Sequence, residues 1–483
     1  MLKHQASRKT KACFGAKLYL GMGGDFRIPT HQAFLNNPKF QRVIGMLRRN
    51  TIGLMLMLLF SCASVLAQEA APTLTIEEAV RTALAKNRSV QAAVEEVAAA
   101  RARLRAARAE NFPQLRASVE YRRITAPPSF EIPSLTPGAP PREVAVATEE
   151  NIVRTIAARQ ALYTGGRIPA QISRAEALLD AALSRLGSTE AQVALQTREA
   201  YYRVLLSQSL VRSAEESLAA AREQLAAATA KFEAGTAAQF DVLRAQTQVS
   251  EAEQNLAEAR NQVEISRVNL NRVLGTPLEQ VAALSEPGLA AFPEENLSSL
   301  IDAARRQRAE LLAARAQLAA AEAGIRLAES QWRPELDLSA NYQAVSEVTP
   351  ALTTGWTFAA IASMEIFDGG RRRANVAEAR SLRDEARVNL EDVSQAVEQD
   401  VRQAYLNLQT ARQTIETAKT RLAQAQEAYN VATVRYEAGV GTAVELADAL
   451  AALTAARTNL DRASFNYNAA YAALQRALGR TIY

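Results

Sequence analysis

The chain has 483 residues, 48% of them hydrophobic, and a formal net charge of +5. The positive excess lies in residues 1–67, which hold ten lysines and arginines against one acidic residue; residues 68–483 therefore carry 46 basic and 50 acidic groups. All histidines and cysteines also lie in 1–67, which argues against zinc sites, His-based triads and thiol nucleophiles in the rest of the chain. We expect no enzyme, no catalytic residue, no metal, no cofactor and no nucleic-acid partner.

Residues 1–67 are predicted to be a leader that directs the protein out of the cytoplasm. Two arginines precede an apolar run at 51–60 that is too short for a transmembrane helix, and small residues follow it. Two routes of maturation stay open: cleavage of a Sec signal peptide after Ala67, or a lipoprotein anchored through Cys62. Because a signal of normal size begins at Met46, we expect translation to start there.

The rest of the chain is one structural unit repeated twice, at 68–295 and 296–483. Three pairs of segments match at a constant offset of 204 residues. They are Tyr-Thr-Gly-Gly-Arg at 163–167 with Phe-Asp-Gly-Gly-Arg at 367–371, Phe-Glu-Ala-Gly at 232–235 with Tyr-Glu-Ala-Gly at 436–439, and Val-Leu-Gly at 273–275 with Ala-Leu-Gly at 477–479.

Each repeat is predicted to begin with a helix, placed at about 75–110 in the first copy, and to continue with two strands. The strand pairs are expected within 113–163 and 334–367, where side chains alternate between apolar and polar, as at 114–121 and 335–342. Upstream of these strands the offset between the repeats is 221 residues, so the first copy contains a 17-residue insertion, which we place at 127–141.

A long helical hairpin is predicted after each strand pair. In the first copy it consists of one helix over about 167–234, a glycine-containing tip and a helix over about 238–275. Large residues recur every seven positions with alanines between them, which predicts coiled-coil packing. They are Val211, Leu218, Leu225 and Phe232 in the first copy, and Ile415, Leu422, Tyr429 and Tyr436 in the second.

The predicted strands are 10 to 12 residues long, which matches a tilted strand that crosses a bilayer. The second returning strand places Trp356, Phe358, Ala360, Ala362, Met364 and Ile366 on one face. A soluble hairpin packed on the helices is the alternative. Four strands cannot close a barrel with a lumen, and open edges in lipid would leave backbone groups unpaired, so a membrane location requires a symmetric oligomer.

The strand-to-helix turns, the Glu-Ala-Gly tips and the duplicated layout resemble the TolC-like outer-membrane factors, or outer membrane efflux proteins, over about 74–479. The resemblance implies a mainly α fold with a small β part: a homotrimer with a 12-strand β-barrel in the outer membrane of a Gram-negative bacterium and a 12-helix α-barrel in the periplasm. It also implies a passive channel for efflux or type I secretion, with a periplasmic adaptor (membrane fusion) protein and an inner-membrane pump as partners. The residues alone leave one alternative, a soluble secreted coiled-coil rod with a structural or adaptor role.

The resemblance further implies a pore entrance at the second helical tip. Glu445 and Asp448 match two carboxylates that form acidic rings at the periplasmic entrance of the family. They lie three residues apart on one predicted helix face, beside the packing stripe. The alternative is a solvated acidic face near a helix start, where the helix dipole favours negative charge.

A latch that holds the entrance closed is implied by two further matches. Asp241 and Tyr436 correspond to residues that link neighbouring helices at the family's tips. The basic residue that the family places two positions after Gly439 is Gly441 here, so Arg244 and Arg435 are candidates to replace it.

Six glycines are assigned structural roles. Gly235 and Gly439 are expected to end the long helices with positive φ, and the resemblance adds that these tips dock on the adaptor. The strand-to-helix turns are assigned to the other four, which are Gly165, Gly166, Gly369 and Gly370. The exported substrate is not indicated by any motif.

Overall fold

The computed structural model describes residues 73–480, except for gaps at 127–128, 135, 137, 139, 146–148, 281–282 and 348–351. The expectations for the leader, including the start at Met46 and the choice between Cys62 and Ala67, lie outside the described residues.

The eight helices of the described residues repeat one order twice, two short helices followed by a long one and a returning one. The first repeat contains α1 (Ile76–Lys86), α2 (Arg88–Ala109), α3 (Arg167–Glu233) and α4 (Gln239–Leu274). The second contains α5 (Leu297–Gln307), α6 (Ala309–Ser330), α7 (Arg371–Glu437) and α8 (Ala443–Ala477). The helices α3 and α7 each have 67 residues, about 100 Å at 1.5 Å per residue. The predicted uninterrupted helix is confirmed, because Pro169 lies in its first turn, where a missing N–H costs nothing.

The single helix predicted at about 75–110 is wrong, because the chain breaks between α1 and α2. Asn87 has φ −65° and ψ 131°, its side-chain oxygen accepts a hydrogen bond from the N–H of Ser89 (2.8 Å), and its Nδ2 donates to the carbonyl of Val273 (2.8 Å). The second repeat breaks at the equivalent position, Arg308, whose Nη1 donates to the carbonyl of Ala477 (2.9 Å). A contact with the distant end of the returning helix therefore holds each break.

The ends of α4 and α8 pack directly against these breaks. Gly275 ends α4 with φ +72°, and a Cβ at this position would lie 2.4 Å from the carbonyl oxygen of Lys86. Gly479 ends the second repeat with φ +73°, and its Cβ would lie 3.0 Å from the carbonyl oxygen of Gln307. Only glycine permits both the positive φ and this close approach of two backbones.

Four strands form one antiparallel sheet and two form a separate pair. The strands in chain order are β1 (Gln114–Arg123), β2 (Ser129–Ile132), β3 (Arg142–Ala145), β4 (Glu150–Thr164), β5 (Glu335–Glu347) and β6 (Leu352–Ser363). The order in the main sheet is β1-β4-β5-β6, so β1 and β6 are its edges. The strand β2 lies within the insertion that was placed at 127–141, and its partner β3 begins directly after it. The last strand ends earlier than predicted, since Met364 and Ile366 follow its end.

The pairing register divides the main sheet into two chemically different faces. The face that we call the apolar face carries mainly apolar residues: Leu115, Ala117, Val119, Tyr121, Ile152, Ile156, Ala158, Leu338, Ala340, Tyr342, Ala344, Trp356, Phe358, Ala360 and Ala362. Arg154, Gln160 and Thr354 are polar residues on the same face. The opposite face, which we call the polar face, includes Gln114, Arg116, Ser118, Glu120, Thr155, Arg159, Ser339, Asn341, Gln343 and Thr357. A sheet that separates water from lipid requires this division.

The heptad stripes form the core of the helical part, but not along their whole length. Leu218 and Ala221 of α3 pack with Ala252 and Leu256 of α4 in one buried cluster. Towards the tip the stripe opens, and the side chain of Phe232 is 43% exposed in the single chain.

Candidate functional site

The two helical tips have the same backbone design. Gly235 and Gly439 follow α3 and α7 with φ +74° and +76°. In each tip the N–H of the next residue bonds to a carbonyl five residues earlier, from Thr236 to Lys231 (2.9 Å) and from Val440 to Arg435 (3.0 Å). This pattern ends a helix with a left-handed residue. A Cβ at either glycine would meet no described atom within 4 Å, so backbone conformation and not crowding selects glycine here.

Gly441, which stands where a basic residue was expected, packs closely against the end of α7. Its N–H bonds to the carbonyl of Arg435 (2.9 Å). A Cβ at Gly441 would lie 3.0 Å from the Cβ of Arg435 and 3.0 Å from the nitrogen of Tyr436. Any side chain at Gly441 would therefore require its neighbours to move by a few tenths of an ångström.

The two candidate entrance carboxylates lie at the start of α8. The N–H of Glu445 donates to the Oγ1 of Thr442 (3.1 Å), which caps the helix. The carboxylate of Glu445 lies 3.9 Å from the guanidinium of Arg435, and both side chains are about half exposed. Asp448 is exposed and has no ion pair among the residues that the structure describes. Both carboxylates are thus exposed to solvent in the single chain.

The two latch candidates line one cleft between the tips. Asp241 in the first turn of α4 and Tyr436 near the end of α7 border a cleft of about 300 Å³, together with Lys231 and Arg244. The ring of Tyr436 contacts Lys231, whose Nζ lies 3.7 Å from the ring centroid. This contact joins the two repeats, and sequence analysis missed it. The repeat could have indicated it, because Lys231 occupies the position in the first repeat that corresponds to Arg435, which was already a latch candidate.

The four turn glycines join strands to long helices with positive φ, 61° and 94° in the first repeat and 66° and 95° in the second. In the second repeat Asp368 anchors the turn. Its carboxylate accepts hydrogen bonds from the N–H of Gly370 (3.0 Å) and from the N–H (3.0 Å) and Nε (2.7 Å) of Arg372. Arg372 is 2% exposed and stacks on Trp332 at 4.4 Å.

The environment of Asp368 favours its ionised form. Burial acts to raise the pKa of Asp368, but the hydrogen bonds from Arg372 and Gly370 and the charge of Arg372 outweigh it and lower the pKa to about 2. In the first repeat Thr164 takes the equivalent place, and its Oγ1 accepts from the N–H of Ile168 (3.3 Å). A carboxylate therefore caps the start of the long helix in the second repeat, whereas in the first repeat a hydroxyl caps it and Arg333 donates to the carbonyl of Gly165 (3.2 Å).

A network of charged residues at the α5–α6 break was not predicted. Arg308 is 3% exposed and donates to Glu310 (2.8 Å) and Asp400 (2.8 Å), and Arg476 contacts the same two carboxylates. Burial acts to raise the pKa of Glu310, but its contacts with Arg308 outweigh this and hold the pKa below its ordinary value. Glu310 also accepts from Ser188 of the first repeat (3.0 Å). The network therefore ties the two repeats together.

Membrane-spanning helices and metal sites are two further features to consider in the described residues. None of the helices in the described part of the chain has both the length and the apolar character needed to cross a membrane. Within the same residues, no group of three or more His, Cys, Asp or Glu side chains is arranged to hold a metal ion.

Comparison with known proteins gives one consistent family. A family model described as outer membrane efflux protein matches residues 79–276 and 300–480. The outer membrane protein OprJ of Pseudomonas aeruginosa is 26% identical over 379 residues, covering 77% of this chain and 76% of OprJ. The outer membrane protein TolC of Vibrio cholerae is 26% identical over 304 residues, which cover 61% of this chain and 69% of that TolC. The open state of the Neisseria gonorrhoeae MtrE outer membrane channel shares the fold, with a TM-score of 0.70, 20% identity and coverage of 84% and 89%.

Proposed function

This chain belongs to the outer membrane efflux protein family and acts in efflux at the outer membrane of a Gram-negative bacterium, with its helical body in the periplasm; from that premise we propose that three copies close into one passive channel. A periplasmic adaptor protein and an inner-membrane pump would deliver the substrate to the helical tips. The proposal contains no bond-breaking step, and it assigns no catalytic residue and no cofactor.

The observation that carries this proposal is the four-stranded sheet with two unpaired edges. In a ring of three copies, β6 of one copy would pair with β1 of the next and give a closed barrel of about 12 strands. The apolar face would meet lipid and the polar face would line the lumen. The pairing of Arg159 with Asp337 (2.8 Å) on the polar face suits a water-filled interior.

Exposed apolar side chains on α7 support the same assembly. Val388 and Leu406 lie five helical turns apart on one side of α7 and are 63% and 55% exposed in the single chain. Leu382, on another side of the helix, is 53% exposed. Large apolar side chains left uncovered along a helix indicate an interaction surface. We assign this surface to the neighbouring copy, which would complete the wall of the helical tube.

The secreted coiled-coil rod is the weaker candidate. A rod explains the helices, but it gives no role to a sheet whose exposed apolar face includes Val119, Trp356 and Phe358, which are 72%, 62% and 73% exposed. A membrane protein needs such a face, whereas a protein in water is destabilised by exposing it.

The tips are proposed to form the periplasmic entrance. Three copies would bring six carboxylates, from Glu445 and Asp448, around one opening, where they would attract cations and repel anions. The exposed backbone around Gly235 and Gly439 would dock on the adaptor.

The latch is proposed to rest on Lys231 and Tyr436. An ammonium group over an aromatic ring is attracted by the ring electrons, so this contact would hold the second hairpin against the first. Asp241 lines the same cleft and stays a candidate partner for the hydroxyl of Tyr436. Arg435 is already placed beside Glu445, which leaves it less available as a latch.

The assembly is tested by membrane fractionation and by the native mass of the mature protein in detergent. We expect outer-membrane fractionation and three protomer masses. A monomer that is soluble without detergent would refute the channel and favour the rod.

The entrance is tested by ion selectivity in planar bilayers. Glu445→Gln combined with Asp448→Asn should reduce the preference for cations at low salt, where charge is least screened. Glu427→Gln is the matched control, since Glu427 is an exposed acid on α7 away from the tip. Equal selectivity of the double variant and the control would refute the acidic entrance.

The latch is tested by two substitutions with different meanings. Lys231→Gln should raise the conductance of the closed channel, because it removes the cation over the ring. Tyr436→Phe should leave conductance nearly unchanged, because the ring remains. An increase with Tyr436→Phe and none with Lys231→Gln would assign the latch to the hydroxyl group and to Asp241 instead.

A further inference from the structure

One charged residue interrupts the apolar face of the main sheet. The register places Arg154 of β4 directly between Val119 of β1 and Ala344 of β5, both apolar. The side chain of Arg154 is exposed, and among the residues that the structure describes it has no hydrogen bond or ion pair. An unpaired guanidinium on a face that meets lipid needs a partner from outside the chain.

The depth of Arg154 follows from the aromatic residues next to it. The adjacent row on the side of the helices contains Tyr342 and Trp356, whose ring centroids lie 5.0 Å apart, and Phe358 stacks on Trp356 at 5.9 Å. Tyrosine and tryptophan concentrate where the membrane meets water. Apolar side chains on this face run from the row of Leu336 and Ala362 to the row of Ile152 and Tyr121. These rows are ten residues apart, which is about 34 Å along the strand and about 26 Å of depth at a 40° tilt.

Arg154 therefore lies one row inside the outer boundary of the apolar band, because the next row outward contains Tyr121 and Ile152. Membrane barrels have an apolar band about 25 Å tall, and a charge is tolerated at its boundary but not at its centre. The row of Arg154 ends at Thr354, and farther out the same face carries the ion pair of Arg123 with Glu150 (3.5 Å). The chemistry of the face changes from apolar to polar at the level of lipid headgroups.

We propose that Arg154 binds the phosphate of an anionic lipid in the outer leaflet of the outer membrane. A guanidinium matches phosphate geometry through two parallel hydrogen bonds. The apolar residues on either side, Val119 and Ile156, are 72% and 52% exposed and would contact the acyl chains of the same lipid. Because a free phosphate ion has no acyl chain, this second contact favours a lipid as the ligand.

The inference rests on the outer-membrane location and goes beyond efflux, since a lipid bound here would fix the height and tilt of the barrel. It does not depend on the acidic entrance or on the latch. A variant could lose lipid binding and still form a trimeric channel, so failure of one proposal is distinguishable from failure of the other.

The test measures lipid binding to the purified full-length mature protein in detergent by native mass spectrometry. The probes are a phosphorylated anionic glycolipid, zwitterionic phosphatidylcholine and inorganic phosphate alone. Arg154→Gln should weaken binding of the anionic glycolipid about fivefold for each site, the usual contribution of one basic residue at an anionic surface. Binding of phosphatidylcholine should not change.

Arg116→Gln is the matched control, because Arg116 is an exposed arginine on the polar face of the same sheet. Arg154→Lys keeps the positive charge without the two parallel hydrogen bonds and should weaken binding less than Arg154→Gln does, which keeps the proposal testable if Arg154→Gln assembles poorly. Equal binding by Arg154→Gln and Arg116→Gln refutes the proposal. Inorganic phosphate that binds wild type as strongly as the glycolipid does also refutes it.

Discussion

Replacing Gly275 with alanine tests how the repeats are built, because two costs add at this position. Alanine in the left-handed conformation costs about 1 to 2 kcal/mol. Its Cβ would also lie 2.4 Å from the carbonyl oxygen of Lys86, about 1 Å closer than an ordinary contact. Overpacking of this kind costs about 1 to 3 kcal/mol, and both atoms belong to rigid backbone. We therefore expect a loss of about 2 to 5 kcal/mol in the free energy of unfolding.

Two other glycines provide a graded control. The Cβ of Gly479→Ala would lie 3.0 Å from the carbonyl oxygen of Gln307, so we expect an intermediate loss in the free energy of unfolding. The Cβ of Gly439→Ala would meet no described atom within 4 Å, so only the cost of the left-handed backbone conformation should remain. The assay is urea unfolding in detergent, followed by helical circular dichroism. The expected order of stability is wild type, Gly439→Ala, Gly479→Ala, Gly275→Ala. Equal losses at positions 275 and 439 would refute the close contact between the end of α4 and the α1–α2 break.

Three further outcomes are expected. The pKa of Asp368 is lowered from 3.8 to about 2, so the ionised carboxylate should stabilise the folded protein fully above about pH 4, and this contribution should be lost as the pH falls through about 2. Trp332 fluorescence in a Trp356→Phe background should report this acid transition. If the same transition is seen when Asp368→Asn is added, the assignment to Asp368 is wrong. Arg308→Met should lower the free energy of unfolding by about 2 kcal/mol in urea unfolding. This is less than the loss expected when a fully buried ion pair is broken, because the carboxylate partners of Arg308 are partly exposed. No loss would show that Arg476 alone stabilises the network. Tyr201→Phe should cost about 1 kcal/mol by the same assay, because its hydroxyl lies 2.7 Å from two backbone carbonyl oxygens, and an unchanged midpoint would contradict those hydrogen bonds.

Much of the fold could be predicted because its signals are local. Heptad spacing, period-two segments and the constant offset of 204 residues give the hairpins, the strands and the repeat without any knowledge of contacts. The prediction of an uninterrupted α3 is confirmed for the same reason, since its heptad spacing and helix-favouring residues can be read directly from the sequence.

The breaks between short helices could not be predicted, because distant contacts stabilise them. Asn87 contacts a carbonyl 186 residues away, and Arg308 contacts one 169 residues away. Neither position carries the proline or glycine that usually marks a break. The same limit applies at the tips, where the partner of Tyr436 is Lys231 from the other repeat. The roles of Glu445 and Asp448 stay predictions.

The unpaired edges of the main sheet also have a genetic consequence. In a ring of three copies every edge is completed by a neighbour, so one copy with a damaged edge strand, such as a proline in β1 or β6, disrupts one of the three junctions, and the intact copies cannot repair it. When damaged and intact copies are made in equal amounts and mix freely, only about one ring in eight is wholly intact. Damage to an edge strand should therefore be dominant in a cell that also expresses the intact gene, whereas damage to the entrance carboxylates should weaken each ring in proportion to the number of altered copies.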